Sequence, residues 1–349
     1  MSLYCDAVFE GGGVKGIGFA GAISALEDKG YTFKHVAGAS AGAIAAALIA
    51  VGYTGKEIEY ELSNVDYKKF KQRPFLYRFG TIGKLINFSR TFGLYKADYF
   101  KDWLSELLER KGKTTFGCVK SDSPKSKYKY NLQVIASDLT DHRMLILPND
   151  LVEFGIDPDT FPIVDAVRMS MGLPFFYRPH RFISYENKSG ELQPYEDVAK
   201  NCPQKAAADG HRVHFVVDGG LLSNYPVWLL DDGTPNPPWP TFGFRFNRKN
   251  CIDCPPEKLP HNVIDYTKSI ISTMLEAHDK SHISTSRGDK DRSILIPTNV
   301  RIKGKEKTVK TTDFNISRAE SIALAENGRT AVSSFLDTWD FDVWKGLYR

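Results

Sequence analysis

The sequence predicts an α/β fold in which strands alternate with helices in layers. Short apolar runs bounded by glycine occur at Tyr4–Glu10 and Phe33–Ala37, and each is followed by a segment of helical character. Strand patterns return at "YNLQVIASDLT" (Tyr130–Thr140) and "VHFVVDGG", between further helical stretches. That alternation is the pattern of helices packed on a sheet.

Taken in order, Tyr4–Glu10 has the length and composition of a buried strand. Gly16–Lys29 carries Ile17, Ala20, Ile23 and Leu26 near helical spacing, and Gly30 stands where a C-terminal cap belongs. Phe33–Ala37 reads as a second strand. Ala41–Val51 is apolar nearly all round, which predicts a buried helix. Between Lys68 and Phe100, Phe and Tyr interleave with Arg and Lys. A membrane-facing lid or substrate channel would look like this, and so would a partly helical insertion packed on the body. The second reading is favoured, because scattered surface aromatics are common.

Asp98–Arg110 then gathers Phe100, Leu104, Leu107 and Leu108 on one helical face, with Asp98 as cap. "AVRMSMGLPFFYRP" reads as a short helix stopped by Pro174. Ser184–Arg212 is a polar loop, and "VHFVVDGGLLSNYPV" is a strand ending at Asp218-Gly219-Gly220. The Pro-rich run Asp231–Pro240 is a loop rather than a domain boundary. His261–Ile283 and Ser317–Trp339 read as helices. No internal repeat occurs, so residues 1–349 are expected to form one domain, with an insertion near 68–100 and a polar loop near 184–212.

Composition is that of an ordinary globular chain: 42% hydrophobic, 25% charged, net charge +4. The charge gives no reason to expect nucleic acid, and a mildly basic surface suits anionic lipid. The amino terminus lacks the basic start and apolar core of a signal peptide, and no apolar run approaches the ~20 residues of a membrane span. The five cysteines, Cys5, Cys118, Cys202, Cys251 and Cys254, form no disulfide framework. They point to a reducing, cytoplasmic setting, with at most peripheral contact with a membrane. Cys251 and Cys254 have metal-ligand spacing, but no second pair completes a zinc site. No metal and no cofactor are expected.

Gly11-Gly12-Gly13-Val14-Lys15-Gly16 satisfies G-x-G-x-x-G between a strand and a helix. A dinucleotide-binding oxidoreductase uses that turn, but it also needs a carboxylate after the second strand, where this chain has Gly38-Ala39-Ser40. A string of unobstructed N–H groups at a helix start favours negative charge, and a developing oxyanion is the other natural ligand. Gly38-Ala39-Ser40-Ala41-Gly42 is G-x-S-x-G between a strand and an apolar helix, the setting of a nucleophile elbow. Ala41 N–H, next after the serine, is placed to help bind an oxyanion. A serine needs a base. His261, His278 and His282 follow it in sequence, yet Ser40 comes too early for the usual Ser-Asp-His hydrolase order.

The glycine turn, the Gly38–Gly42 motif and Asp218-Gly219-Gly220, in that order, resemble the patatin-like phospholipase family. "IASDLT", "MGLPFFYRP" and "VDGGLLSNYPV" extend the likeness, and "DFNISRAESIALAENGRTAVSSFL" does so weakly. The resemblance implies a three-layer sandwich of about six strands, with a central, mostly parallel sheet flanked by helices. It implies a lipid acyl hydrolase (phospholipase A type) with a Ser40–Asp218 dyad and no catalytic histidine. Gly11, Gly12, Gly13 and Val14 would form the oxyanion hole, with Ala41. Lipid or phospholipid would be the substrate. A catalytically idle lipid-binding protein of the same fold is the other reading, against which intact Ser40 and Asp218 weigh. Glu10 stands where many members have Asp or a small residue. Lys15 replaces a frequent Arg and is expected to touch substrate without bidentate geometry. Met171 replaces a small residue, which would narrow an acyl pocket.

Overall fold

The computed structural model describes residues 3–72, 74, 77–78, 80–122, 128–184, 212–231, 233–247 and 288–349. Strand β1 (Leu3–Phe9) leads through the glycine turn into α1 (Ile17–Asp28), and β2 (Tyr31–Ala39) leads through Ser40 into α2 (Ala41–Val51). Both strands start or run slightly longer than the glycine boundaries predict. Gly30 takes the expected left-handed conformation, φ 85°. A capping box of Thr54 and Glu57 starts α3 (Gly55–Asn64).

The insertion contributes α4 (Gly80–Thr91) and β3 (Gly93–Tyr95) before α5 (Asp98–Arg110). Asp98 is the first residue of α5 rather than its cap: Ala97 holds the cap position with no side-chain bond, and Asp98 pairs with Lys96 at 3.8 Å. Next come β4 (Leu132–Asp138), β5 (Arg143–Leu147), α6 (Ile163–Ser170), β6 (Phe175–Tyr177) and β7 (His180–Ser184). The helix α6 ends before Met171, ahead of Pro174. Finally β8 (Arg212–Asp218), β9 (Thr241–Asn247), β10 (Ser293–Pro297), β11 (Asn299–Ile302) and β12 (Lys305–Thr308) precede α7 (Arg318–Leu336) and α8 (Phe341–Tyr348). The expected helix at His261–Ile283 and nearly all of the expected loop at 184–212 lie outside the described residues.

The main sheet has eight strands, not six, in the order β10-β9-β1-β2-β4-β8-β7, with β5 paired to β4. Pairing is parallel from β10 through β4 and antiparallel where β8, β7 and β5 join. Parallel strands covered on both faces become continuously apolar, and β4 is buried along its whole length. In β1, Ala7 and Phe9 join the large core that includes residues of α1, α2, α6 and α7. Val8 instead packs with Ala37, Tyr225, Val227 and Leu230. The fold class is therefore α/β, with a central, mostly parallel sheet flanked by helices. Because β1 and β2 are parallel neighbours, Phe9 lies opposite Gly38, and both following turns open at the same sheet edge.

Candidate active site

Ser40 sits between β2 and α2 at φ 52° and ψ −122°. A non-glycine residue rarely adopts positive φ, and such strain persists only where the surroundings impose it. The surroundings here are close. A Cβ on Gly38 would overlap the backbone of Gly42, and a Cβ on Gly42 would overlap the carbonyl oxygen of Phe9. The outer glycines of the motif are thus required by the approach of α2 to β1 and β2. The amide of Ser40 donates to the Ser170 hydroxyl at 2.9 Å.

Asp218 ends β8, and the β4–β8 pairing places it opposite Ala136. Its amide donates to the Gly172 carbonyl at 3.1 Å, its carboxyl accepts the Gly220 amide at 2.8 Å, and the Ser40 side chain is near enough to favour its ionised form. Only 3% of the residue is exposed. Burial pushes the Asp218 carboxyl up to about 6, against the lowering effect of Ser40 and the Gly220 amide.

Of the glycine-turn N–H groups, two are already spent. Gly11 donates to the Asn224 carbonyl at 2.9 Å and Val14 donates to the Thr311 carbonyl at 3.1 Å. The N–H groups of Gly12 and Gly13 have no backbone acceptor among the described residues. Ala41, as first residue of α2, has no intrahelical acceptor either. Gly12, Gly13 and Ala41 are thus the N–H groups of the site left without a backbone acceptor among the described residues. Gly13 itself has φ 56°.

Lys15 is buried beside Phe246. It is 4% exposed, its ammonium lies 4.6 Å from the Phe246 ring centroid, and it does not line the cavity at Ser40. The cation rests on an aromatic face.

That cavity spans about 1000 Å³, its solvent-open mouth included, and reaches from Gly11–Val14, Ser40 and Asp218 into apolar walls. Ile44 and Ala45 of α2, Leu62, Phe70, Trp103 and Phe314 are among the residues that line it. Phe70 and Phe100 of the aromatic-basic stretch belong both to the core and to this lining. The insertion thus packs on the body and walls a channel at once. Met171 does face the cavity, as expected. No histidine is among the described residues that line it.

One metal-capable cluster occurs among the described residues: Asp138, Asp141 and His214. Its members satisfy each other, with His214 Nδ1 2.8 Å from Asp138 and an Arg212 ion pair on Asp141. Burial works against it, yet the His214 bond and the Thr140 and Asp141 amides hold the Asp138 carboxyl below its usual range. The cluster braces β4 against β8 and does not line the cavity.

The family's sequence profile, described as Patatin-like phospholipase, matches residues 7–231, the span that holds the glycine turn, Ser40 and Asp218. The chain belongs to the patatin-like phospholipase family. The glycine turn, whose spacing alone left a dinucleotide open, lies within that match. Among relatives, the Bacillus subtilis (strain 168) uncharacterized protein YqhO is 35% identical over 339 residues, covering 97% of this chain and 100% of YqhO. The uncharacterized protein R571 of Acanthamoeba polyphaga mimivirus is 26% identical over 334 residues, 94% of this chain and 92% of that protein. Among solved structures, VipD from Legionella pneumophila aligns with TM-score 0.49 and 17% identity, over 96% of this chain and 67% of VipD.

Patatin-like motifs were legible in the sequence; their supports were not. Ser170, Asn224 and Thr311 hold the site through contacts far apart in sequence, which spacing along the chain does not reveal.

Proposed function

We propose that this patatin-like chain is a lipid acyl hydrolase of phospholipase A type, acting as a single catalytic domain through a Ser40–Asp218 dyad. Ser40 Oγ attacks the ester carbonyl carbon while its proton passes to the Asp218 carboxylate. The tetrahedral oxyanion takes hydrogen bonds from Gly12, Gly13 and Ala41 N–H groups. Collapse breaks the bond to the alcohol, which leaves with the proton from Asp218, and the acyl group stays on Ser40. Water then attacks the acyl-serine, giving its proton to Asp218, which passes it to Ser40 Oγ as the acyl–oxygen bond breaks and the fatty acid departs. No cofactor enters these steps.

The observation that carries this reading is the meeting of Ser40, on its positive-φ turn, with a buried Asp218 in the lining of one apolar cavity. A carboxyl near 6 is a better proton acceptor than an ordinary aspartate and still ionised at neutral pH. The apolar walls suit an acyl chain. Family membership supports lipid hydrolysis in general, and the chemistry above is the form in which these residues would perform it.

The test is fatty-acid release from phosphatidylcholine and phosphatidylglycerol vesicles, measured by mass spectrometry. Ser40→Ala is expected to lower release by at least ~10³. Release by Ser40→Ala equal to wild type would refute the assignment.

A further inference from the structure

Three consecutive glycines have little conformational preference of their own, so the direction of their N–H groups must be fixed from outside. Asn224 does this at one end of the turn. Its carbonyl accepts the Gly11 N–H at 2.9 Å, and its Nδ2 donates to the Gly11 carbonyl at 3.5 Å. The Thr311 carbonyl holds the other end at Val14. Between the two anchors lie Gly12 and Gly13.

Glu10 stands behind Asn224. One carboxylate oxygen accepts Asn224 Nδ2 at 3.2 Å, and the other accepts the Phe246 amide at 2.6 Å. Glu10 and Asn224 are each 8% exposed. A single carboxylate therefore ties the end of β1 to β9 and to the residue that clasps the turn. Asn224 lines the cavity, whereas Glu10 does not.

We propose that Glu10 and Asn224 are a positioning pair that aims the Gly12 and Gly13 N–H groups at the oxyanion. The proposal rests on the reading of Ser40 as the acyl acceptor. Oxyanion donors act through preorganisation, and a donor that swings away is lost to the transition state while ground-state binding is kept. One Glu10 side chain thus meets both Phe246 and Asn224. The pair acts on the turn and needs no contact with substrate.

The experiment measures kcat and KM on a soluble p-nitrophenyl ester, with the rate of fluorophosphonate labelling as a second readout. Glu10→Ala and Asn224→Ala are each expected to lower kcat by about 10²-fold, with KM within about twofold of wild type. The double variant is expected to lose no more than the worse single one, because the two residues work as a unit. Asn224→Asp alone sets two carboxylates against each other. Adding Glu10→Gln restores a hydrogen bond of opposite direction, and kcat is expected to recover by at least tenfold relative to Asn224→Asp.

A raised KM with kcat preserved would make Asn224 a substrate contact and overturn the proposal. So would additive losses in the double variant, or a swap no better than Asn224→Asp. If the alanine variants do not fold, the swap decides alone. Ser40→Ala serves as the reference: if it keeps wild-type turnover, the acyl-serine reading itself falls. If it is inactive while the pair variants are fully active, only the positioning role falls.

Discussion

The hydroxyl of Ser170, at the end of α6, accepts the backbone N–H of Ser40 at 2.9 Å. Two residues on, the Gly172 carbonyl accepts the Asp218 amide at 3.1 Å. One short segment therefore holds both members of the proposed dyad. Ser170→Ala would leave the Ser40 amide without that acceptor and loosen its positive-φ turn. We expect kcat to fall by about tenfold to 10²-fold, because small misplacements of reacting groups are costly. Ser170→Thr, which keeps the hydroxyl, should retain most activity. Steady-state kinetics on both variants checks this, and equal kcat in wild type and Ser170→Ala would contradict it.

The pH profile follows from Asp218. A base must be ionised, so kcat/KM should rise with pH through a midpoint at about 6 and then level off. His35, His142, His180 and His214 should each be replaceable without abolishing that limb, as should His211, His261, His278 and His282, which lie outside the described residues. Asp218→Asn should lower turnover by at least ~10³ at every pH, since an amide cannot accept the proton. A single histidine variant with a loss as large as that of Ser40→Ala would indicate a triad instead.

Stability should move the other way. The folded-state value of Asp218, about 6, lies above its ordinary 3.8, so the folded chain holds this proton more tightly than the unfolded one. Folding is therefore penalised progressively as pH rises from about 4 to about 6, and fully above that. The gap of about 2 pH units, at ~1.36 kcal/mol each, amounts to roughly 3 kcal/mol. Asp218→Asn removes the buried charge and can still accept the Gly220 amide. Its melting temperature should exceed that of wild type at pH 8 and approach it at pH 4. A lower melting temperature at pH 8 would contradict the cost assigned to this carboxylate.

Contact with a lipid surface is expected through α4. Ile82 and Ile86 are 72% and 41% exposed, and Phe92 and Phe175 are 48% and 43% exposed beside them. Phe88 stacks on Phe175 at 5.9 Å, while Phe176, the next residue of β6, lines the cavity. Arg78 and Arg90 are exposed in the same stretch. Of the other cations in it, Arg73 lies outside the described residues, as does the side chain of Lys84. Replacing Ile82, Ile86 and Phe175 together by Asp should abolish sedimentation with phosphatidylglycerol vesicles. Turnover of a soluble ester should stay within about twofold. Undiminished vesicle binding would place the contact elsewhere.

The sequence made the strand-turn-helix repeats legible because glycine placement and apolar spacing are local properties. It marked Ser40 and Asp218 for the same reason, since each ends a strand and is flanked by small residues. It did not separate Gly11 and Val14 from Gly12 and Gly13, because that depends on which N–H groups Asn224 and Thr311 occupy. The sequence leaves Lys15 as a cation at a helix start, which is electrostatically disfavoured, because its partner ring, Phe246, lies far along the chain on β9. The aromatic-basic insertion was seen as packing or channel, and Phe70 and Phe100 do both. The antiparallel strands β5, β7 and β8 were hard to count because their pairing with β4 is a tertiary property.

The central claim is that Ser40 becomes covalently acylated. Reaction with a fluorophosphonate, followed by digestion and mass spectrometry, tests it most directly. One stoichiometric adduct on Ser40 is expected, absent in Ser40→Ala and formed at least ~10²-fold more slowly in Asp218→Asn. An adduct on another residue, or labelling that persists at the wild-type rate in Ser40→Ala, would contradict it.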